Sequence, residues 1–237
     1  LGIERDDVER AIPVENAALY FGMLRSPYAV APTRVNEFDY PEGDLNVYTH
    51  YRGSAGLPIG HWLQRAAAAT YLLEPRLLTA GSIDPTSKLL IRREVRQRVH
   101  AIAPFLDLRG DPYLISIPDP ADPTIGTEQH QYWVVEGFTH SSTYPYSAAV
   151  SVNDSDRYLR NSVKAVVDAY NGSVQLYISE PDDPLIQGWA RVFPQLFQTL
   201  DQMPTSIRDH LRVPEELFDV QVKQLQRYHV EDPRVFY

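Results

Sequence analysis

The chain has 237 residues, a formal net charge of −9 and no cysteine, with 43% hydrophobic and 11% aromatic residues. That is enough for one large domain or two small ones with a packed core. The acidic balance argues against nucleic acid as a partner, the missing cysteines exclude disulfides, thiolate metal sites and Cys nucleophiles, and no segment approaches the roughly 20 apolar residues of a membrane helix.

Nineteen prolines are spread along the chain and predict short elements joined by stiff loops. Residues 4–24 read as a short amphipathic start broken at Pro13. Residues 28–35 suit a strand. An acidic, turn-rich loop follows, in which Glu37, Asp39, Glu42 and Asp44 surround Phe38, Tyr40 and Pro41. Residues 46–51 suit a second strand, and Pro58 suits the first position of a helix. In that helix Ile59, Trp62, Leu63, Ala66, Ala67 and Thr70 fall on one face at helical spacing.

A second helix is predicted over 91–103, with Ile91, Val95, Val99 and Ile102 inward and Pro104 as its stop. Residues 112–118 and 131–139 (QYWVVEGFT) read as strands, with proline-rich loop chemistry at 117–126. A hairpin is predicted over 163–179. With Asn171-Gly172 as a two-residue type I′ turn, Ala169 faces Val174, Val167 faces Leu176 and Ala165 faces Ile178. Asp183-Pro184 starts a helix carrying Leu185, Ile186, Trp189 and Phe193, which Pro194 ends. A short helix follows at 205–211. A final helix begins at Pro214 with Glu215 and Glu216 in its first turn, and with Leu217, Phe218, Gln221, Val222, Leu225 and Tyr228 on one face. Strands and helices do not alternate regularly. The expected fold is therefore α+β: a mainly antiparallel sheet with several short packed helices, in one domain over 1–237, with 147–157 as the place for any subdivision.

Chemistry-bearing motifs are sparse. There is no GxxxxGK[ST], GxGxxG, HExxH or GxSxG string, and no two of the seven histidines sit at helical metal-ligand spacing. No cofactor or metal is expected. The candidate ligand-binding residues are Glu37, Asp39, Glu42 and Asp44, whose alternating oxygens suit a cation, together with Tyr40. Aromatic neighbours, including Tyr48 and Tyr51, could stack on a sugar ring, although half-buried tyrosine with a wet hydroxyl is the plainer reading. Lys88, Arg92, Arg93, Arg96 and Arg98 form the one basic concentration. Arg92, Arg93 and Arg96 are the candidates to face a membrane, and a solvated or ion-paired face is the plainer reading.

The strings NEFDYPEGDLNVYTHYRGSAGLPIG (36–60), RREVRQRVHAIAPFLDLRGDPYLI (92–115) and residues 160–237 resemble Uncharacterised Protein Family 0182, a family of bacterial multi-pass membrane proteins. The hairpin string VKAVVDAYNGSVQLY is also similar to small periplasmic modules with a D-A-x-x-G turn. The family resemblance implies that the chain is a piece of a large water-soluble region, attached to the cell membrane by segments outside this chain and lying on the extracytoplasmic side. It implies no reaction. The expected function is a binding or interaction module with a protein or envelope-polymer partner. The alternatives are an envelope hydrolase using the acidic-loop carboxylates, and a structural cap over a membrane pathway.

Overall fold

Short strands and helices joined by turns give an α+β architecture with mainly antiparallel sheets. The computed structural model describes residues 19–42, 45–118, 129–147, 149 and 155–228. The chain divides into two compact units, Asn16–Arg98 with Asp168–Ser173, and Leu1–Glu15 with Val99–Val167 and Val174–Tyr237. Most of the segment singled out for subdivision (148 and 150–154) lies outside the described residues.

In the smaller unit, β1 (Tyr28–Ala31) and β4 (Leu57–Pro58) flank β5 (Lys88–Ile91). The acidic segment is not a loop. It is strand β2 (Glu37–Glu42), paired with β3 (Leu45–Thr49) from Glu37 opposite Thr49 to Glu42 opposite Leu45. Pairing with β3 overrides the turn preferences of Asp39 and Pro41, and a two-stranded ribbon has only edge strands, where proline is tolerated.

Helix α1 (Trp62–Leu72) starts later than predicted. Pro58 is held in β4, and His61 caps the helix: its Nδ1 accepts from Leu63 N at 3.3 Å, while Gln64 Oε1 accepts from His61 N at 3.2 Å. The buried face is also different. Ala68 and Ala69 are buried, whereas Trp62 and Leu63 are 67% and 55% exposed. Arg65 decides this by lying along the inner face, where its Nε donates to Ile59 O (3.2 Å) and its Nη2 to Ile83 O (2.9 Å). A pattern that sends every charge outward rotates the helix the wrong way. The core here joins Ile59, Ala68, Ala69, Leu77, Ile83 and Leu89, with Leu77 supplied by α2 (Arg76–Thr79).

Helix α3 (Val95–Ile102) is shorter than expected because Ile91 belongs to β5 and Arg92 takes a positive φ of 51°. The Glu94 carboxylate caps it, accepting from Arg96 N and Gln97 N, both at 2.9 Å. Val95 and Val99 are fully buried, while Ile102 is exposed.

The larger unit is built on one sheet of order β11-β10-β9-β8-β6, with β7 also on β8. The long strand β8 (Gln129–Ser141) serves β7 (Tyr113–Pro118) along one half and β6 (Asp107–Leu108) along the other. Asp107 faces Phe138, but Tyr113 faces Val134, so the segment 109–112 between them carries two more residues than β8 has opposite it. This Arg-Gly-Asp-Pro segment bulges from the sheet, with Gly110 at a φ of 70°.

Strands β9 (Tyr158–Asp168) and β10 (Val174–Ile178) form the predicted hairpin in a different register. Val167 faces Val174 and Ala165 faces Leu176, two residues away from the two-residue-turn pairing. The cause is Asp168. Its Oδ1 accepts from Tyr170 N and Asn171 N at 2.8 Å each, which closes a four-residue loop in place of a type I′ turn. A slip of two leaves each side chain on its predicted face. Strand β11 (Phe197–Thr199) adds to β10 in parallel. One sheet face carries Ile115, Ile117, Val134, Val166 and Tyr177, covered by Met203 and by Ile207 of α5 (Thr205–Arg208).

Helix α4 (Pro184–Val192) begins as predicted, with Asp183 as its cap. Helix α6 (Glu215–Tyr228) is half-covered along Leu217, Val220, Val222 and Gln224, so Leu217 and Val222 of the predicted face are partly covered while Phe218 and Leu225 are exposed.

Candidate functional site

Three concavities lined by described residues lie in the larger unit, and α4 borders two of them. Asp183 is fully buried. One of its oxygens accepts from Thr139 Oγ1 and Ser162 Oγ at 2.6 Å each, and the other accepts from Tyr158 Oη and from Leu185 N. Burial pushes this carboxyl up, but those donors outweigh it and hold the group below its ordinary value. The same arrangement raises the Tyr158 phenol, first through burial and then through its bond to Asp183.

Anchored in this way, α4 presents Trp189, Val192 and Phe193 beside Phe105. The rings of Phe105 and Trp189 stack at 4.1 Å and 15°, and Phe193 lies nearly parallel to both. With Ile102, Pro104, Pro194, Gln195 and Leu196 they line an open groove of about 910 Å³ that contains no charged side chain. Two prolines and a ring stack make the walls stiff, so the groove is preformed.

A second, smaller cleft of about 270 Å³ opens where 109–112 leaves the sheet. Its walls include Arg109, Asp111, Tyr113, Glu136, Arg212 and Glu216. Glu136 sits on β8 and Lys164 on β9. Both are buried, with Lys164 Nζ donating to Glu136 Oε2 at 2.5 Å. The Tyr113 hydroxyl accepts from Arg212 N at 3.1 Å, and the Arg212 guanidinium lies 4.7 Å from the Tyr113 ring centre. Burial pushes the Tyr113 phenol up, the Arg212 amide draws it back, and the charge of Glu136 adds to the rise.

Beside this cleft Arg109 bridges Asp107 (2.5 Å) and Asp156 (2.5 Å), and His140 Nδ1 lies 2.9 Å from the other oxygen of Asp156. Asp107, His140 and Asp156 could each lend one atom to a metal ion. The guanidinium already supplies a positive charge to both carboxylates, so the arrangement works as a charge network without one.

The profile of the uncharacterised protein family UPF0182 matches residues 2–237. The chain belongs to that family. It is 89% identical to a UPF0182 protein of Parasynechococcus marenigrum, 66% to one of Synechococcus sp. strain CC9902 and 61% to one of Prochlorococcus marinus strain MIT 9303. Each match takes in all of this chain but only 27%, 26% and 25% of the relative, so the chain spans about a quarter of the length of these curated proteins. No solved structure matches.

Of the candidates read from the sequence, Glu37, Arg92, Arg93 and Arg96 line neither the groove nor the cleft of this UPF0182 chain. Glu37 Oε2 accepts from Tyr51 N at 3.1 Å. Asp39, Tyr40 and Glu42 lie on β2, and Asp44 is outside the described residues. Tyr51 is buried against Tyr20 and Tyr170, at 4.4 and 5.2 Å, which removes it as a platform for a sugar ring. Arg92 is exposed, Arg96 is half-buried, and Arg93 points inward. Arg93 Nε donates to Tyr20 O at 2.7 Å and its Nη1 to Ser26 Oγ at 3.1 Å, and burial lowers its pKa. Of the three only Arg96 is on α3, so they do not share a helical face. No helix among the described residues is long and apolar enough to cross a membrane.

Sequence reasoning missed both concavities. Trp189 and Phe193 were legible as a helical stripe and would ordinarily be assigned to the core. Phe105 stood alone after Pro104. The one available signal for the ion pair was a single charge of opposite sign in each of two apolar strand strings, QYWVVEGFT and SVKAVV.

Proposed function

We propose that this UPF0182 segment is a binding module of a longer membrane-attached protein, exposed on the extracytoplasmic side, and that the groove beside α4 receives an apolar stretch of a protein partner. The groove carries the reading. Three near-parallel aromatic rings and five aliphatic or proline side chains surround an open, uncharged space, whereas apolar surface of this kind is normally withdrawn from water. A groove without charge selects for side chains that gain by leaving water, as when an apolar peptide face docks on a preformed slot. The membrane attachment rests on the family resemblance, and the short share of each relative leaves room for anchoring segments elsewhere.

The test uses Trp189 as reporter in a Trp62→Phe/Trp133→Phe background. Anilinonaphthalene sulfonate, an apolar probe, should quench Trp189 by energy transfer as it binds. Val192→Glu should weaken that binding at least ~10-fold, corresponding to about 1.4 kcal/mol. Val192 is 62% exposed, so a charge there leaves the core intact. Equal probe affinity in Val192→Glu and its parent would remove the groove as the docking surface.

A further inference from the structure

We propose that the cleft between β6 and β7 is a second binding site, specific for a small amine that donates an N–H to Glu136 Oε1. Glu136 is only 7% exposed, and its second oxygen, Oε2, is taken by Lys164. Oε1 is buried and has no hydrogen-bond partner among the described residues, although Glu136 lines an open cleft. A buried carboxylate oxygen without a donor is costly, and native structures seldom keep one without a reason. A donor entering the cleft satisfies it.

The charges around the cleft favour a cationic donor. Of the carboxylates that line it, Glu136 is paired with Lys164 and Asp111 has a partner of its own, which leaves Glu215 and Glu216 beside the guanidinium of Arg212. Arg109 is already shared between Asp107 and Asp156, and Arg212 lies on the Tyr113 ring. An ammonium group therefore meets the excess of Glu215 and Glu216 over Arg212 at the mouth and the free Oε1 of Glu136 within, whereas an anion meets no free cation among the described residues beyond Arg212. The volume, about 270 Å³, fits a small molecule and excludes a side-chain-rich peptide. The architecture explains why the site exists here. The extra residues at 109–112 part the sheet edge directly beside β8, and strand interruptions of this kind re-aim side chains at such places.

The experiment is thermal unfolding of the 237-residue chain with ethylammonium chloride or putrescine, against sodium chloride at equal ionic strength and against glycerol. The melting temperature should rise with amine concentration and saturate, while the two controls give no saturable rise. Two variants locate the effect. Glu136→Gln/Lys164→Met removes both buried charges together, which avoids stranding either one. Val213→Trp narrows the mouth from an exposed position and leaves the ion pair untouched. Both should abolish the saturable rise. The proposal is overturned by an amine effect equal to that of sodium chloride, by an equal effect of glycerol, or by an amine effect that survives in both variants.

Discussion

Asp183→Asn is the most informative single substitution, because one carboxylate both caps α4 and ties that helix to β8 and β9. The amide preserves size, and asparagine is an equally good N-cap at an ordinary helix start, but only its Oδ1 accepts, whereas both oxygens of Asp183 are used by backbone and hydroxyl donors. The hydroxyls of Thr139, Ser162 and Tyr158 then lose a charged acceptor, and those on the side of the amide nitrogen lose their acceptor outright. Bonds to a charged group contribute about 1.5–3 kcal/mol and neutral ones about 1. The difference summed over three bonds, reduced by the greater cost of burying a charge, leaves about 2 kcal/mol, and the acceptor lost on the side of the amide nitrogen makes this a lower bound. Urea unfolding followed by tryptophan fluorescence would measure it.

The pH dependence makes the test sharper. The folded-state carboxyl is held below its ordinary value, so its stabilisation is complete above the unfolded value of about 4 and fades as the pH falls through the folded one. The penalty of Asp183→Asn should be the same at pH 7 and pH 5 and smaller at pH 3. A penalty below about 0.5 kcal/mol, or one as large at pH 3 as at pH 7, would refute the assignment of Asp183 as a charged hub. Because α4 carries Trp189, Val192 and Phe193, the substitution should also weaken probe binding in the groove.

Two further outcomes follow from the smaller unit. Burial pushes the Tyr51 phenol up to about 12. The contribution of Tyr51 to stability should be constant up to the unfolded value near pH 10 and then fall by about 2–3 kcal/mol as the pH rises towards 12. The Tyr51→Phe variant should lose that share of the alkaline sensitivity in urea unfolding at pH 9 and pH 11, with Tyr113, Tyr158 and Tyr177 supplying the rest, and equal slopes for variant and parent would contradict it. Gly172 sits at a φ of 65°, and a Cβ there would lie 2.6 Å from the Phe21 ring. Gly172→Ala should therefore cost about 2 kcal/mol or more, through strain and through displacement of that ring. A melting temperature unchanged from the parent would show that the loop can relax.

Much of the local structure was legible because it depends on neighbours in sequence. Asp183-Pro184 specifies a helix start by itself, and apolar strand strings specify β8 and β9. The faces of the hairpin survived a wrong turn assignment because a two-residue slip preserves alternation. The acidic segment was misread because its pairing with β3 outweighs the turn preference of its residues. Arg65 turned α1 around because two carbonyls distant in sequence, those of Ile59 and Ile83, were placed to receive it.

The sequence alone determined the family, the α+β class and the identity of most elements, since these follow from composition, periodicity and local caps. Tertiary structure decided which apolar residues stay outside. Trp189 and Phe193 have the spacing of core residues, yet they border an open groove because Asp183 fixes α4 and Phe105 arrives from a separate segment. It also decided that Glu136 meets Lys164, since a charge in one strand is neutralised only by whatever the neighbouring strand brings opposite it. Those partners are 28 residues apart in the chain and 2.5 Å apart in the fold, a distance that only the sheet register sets.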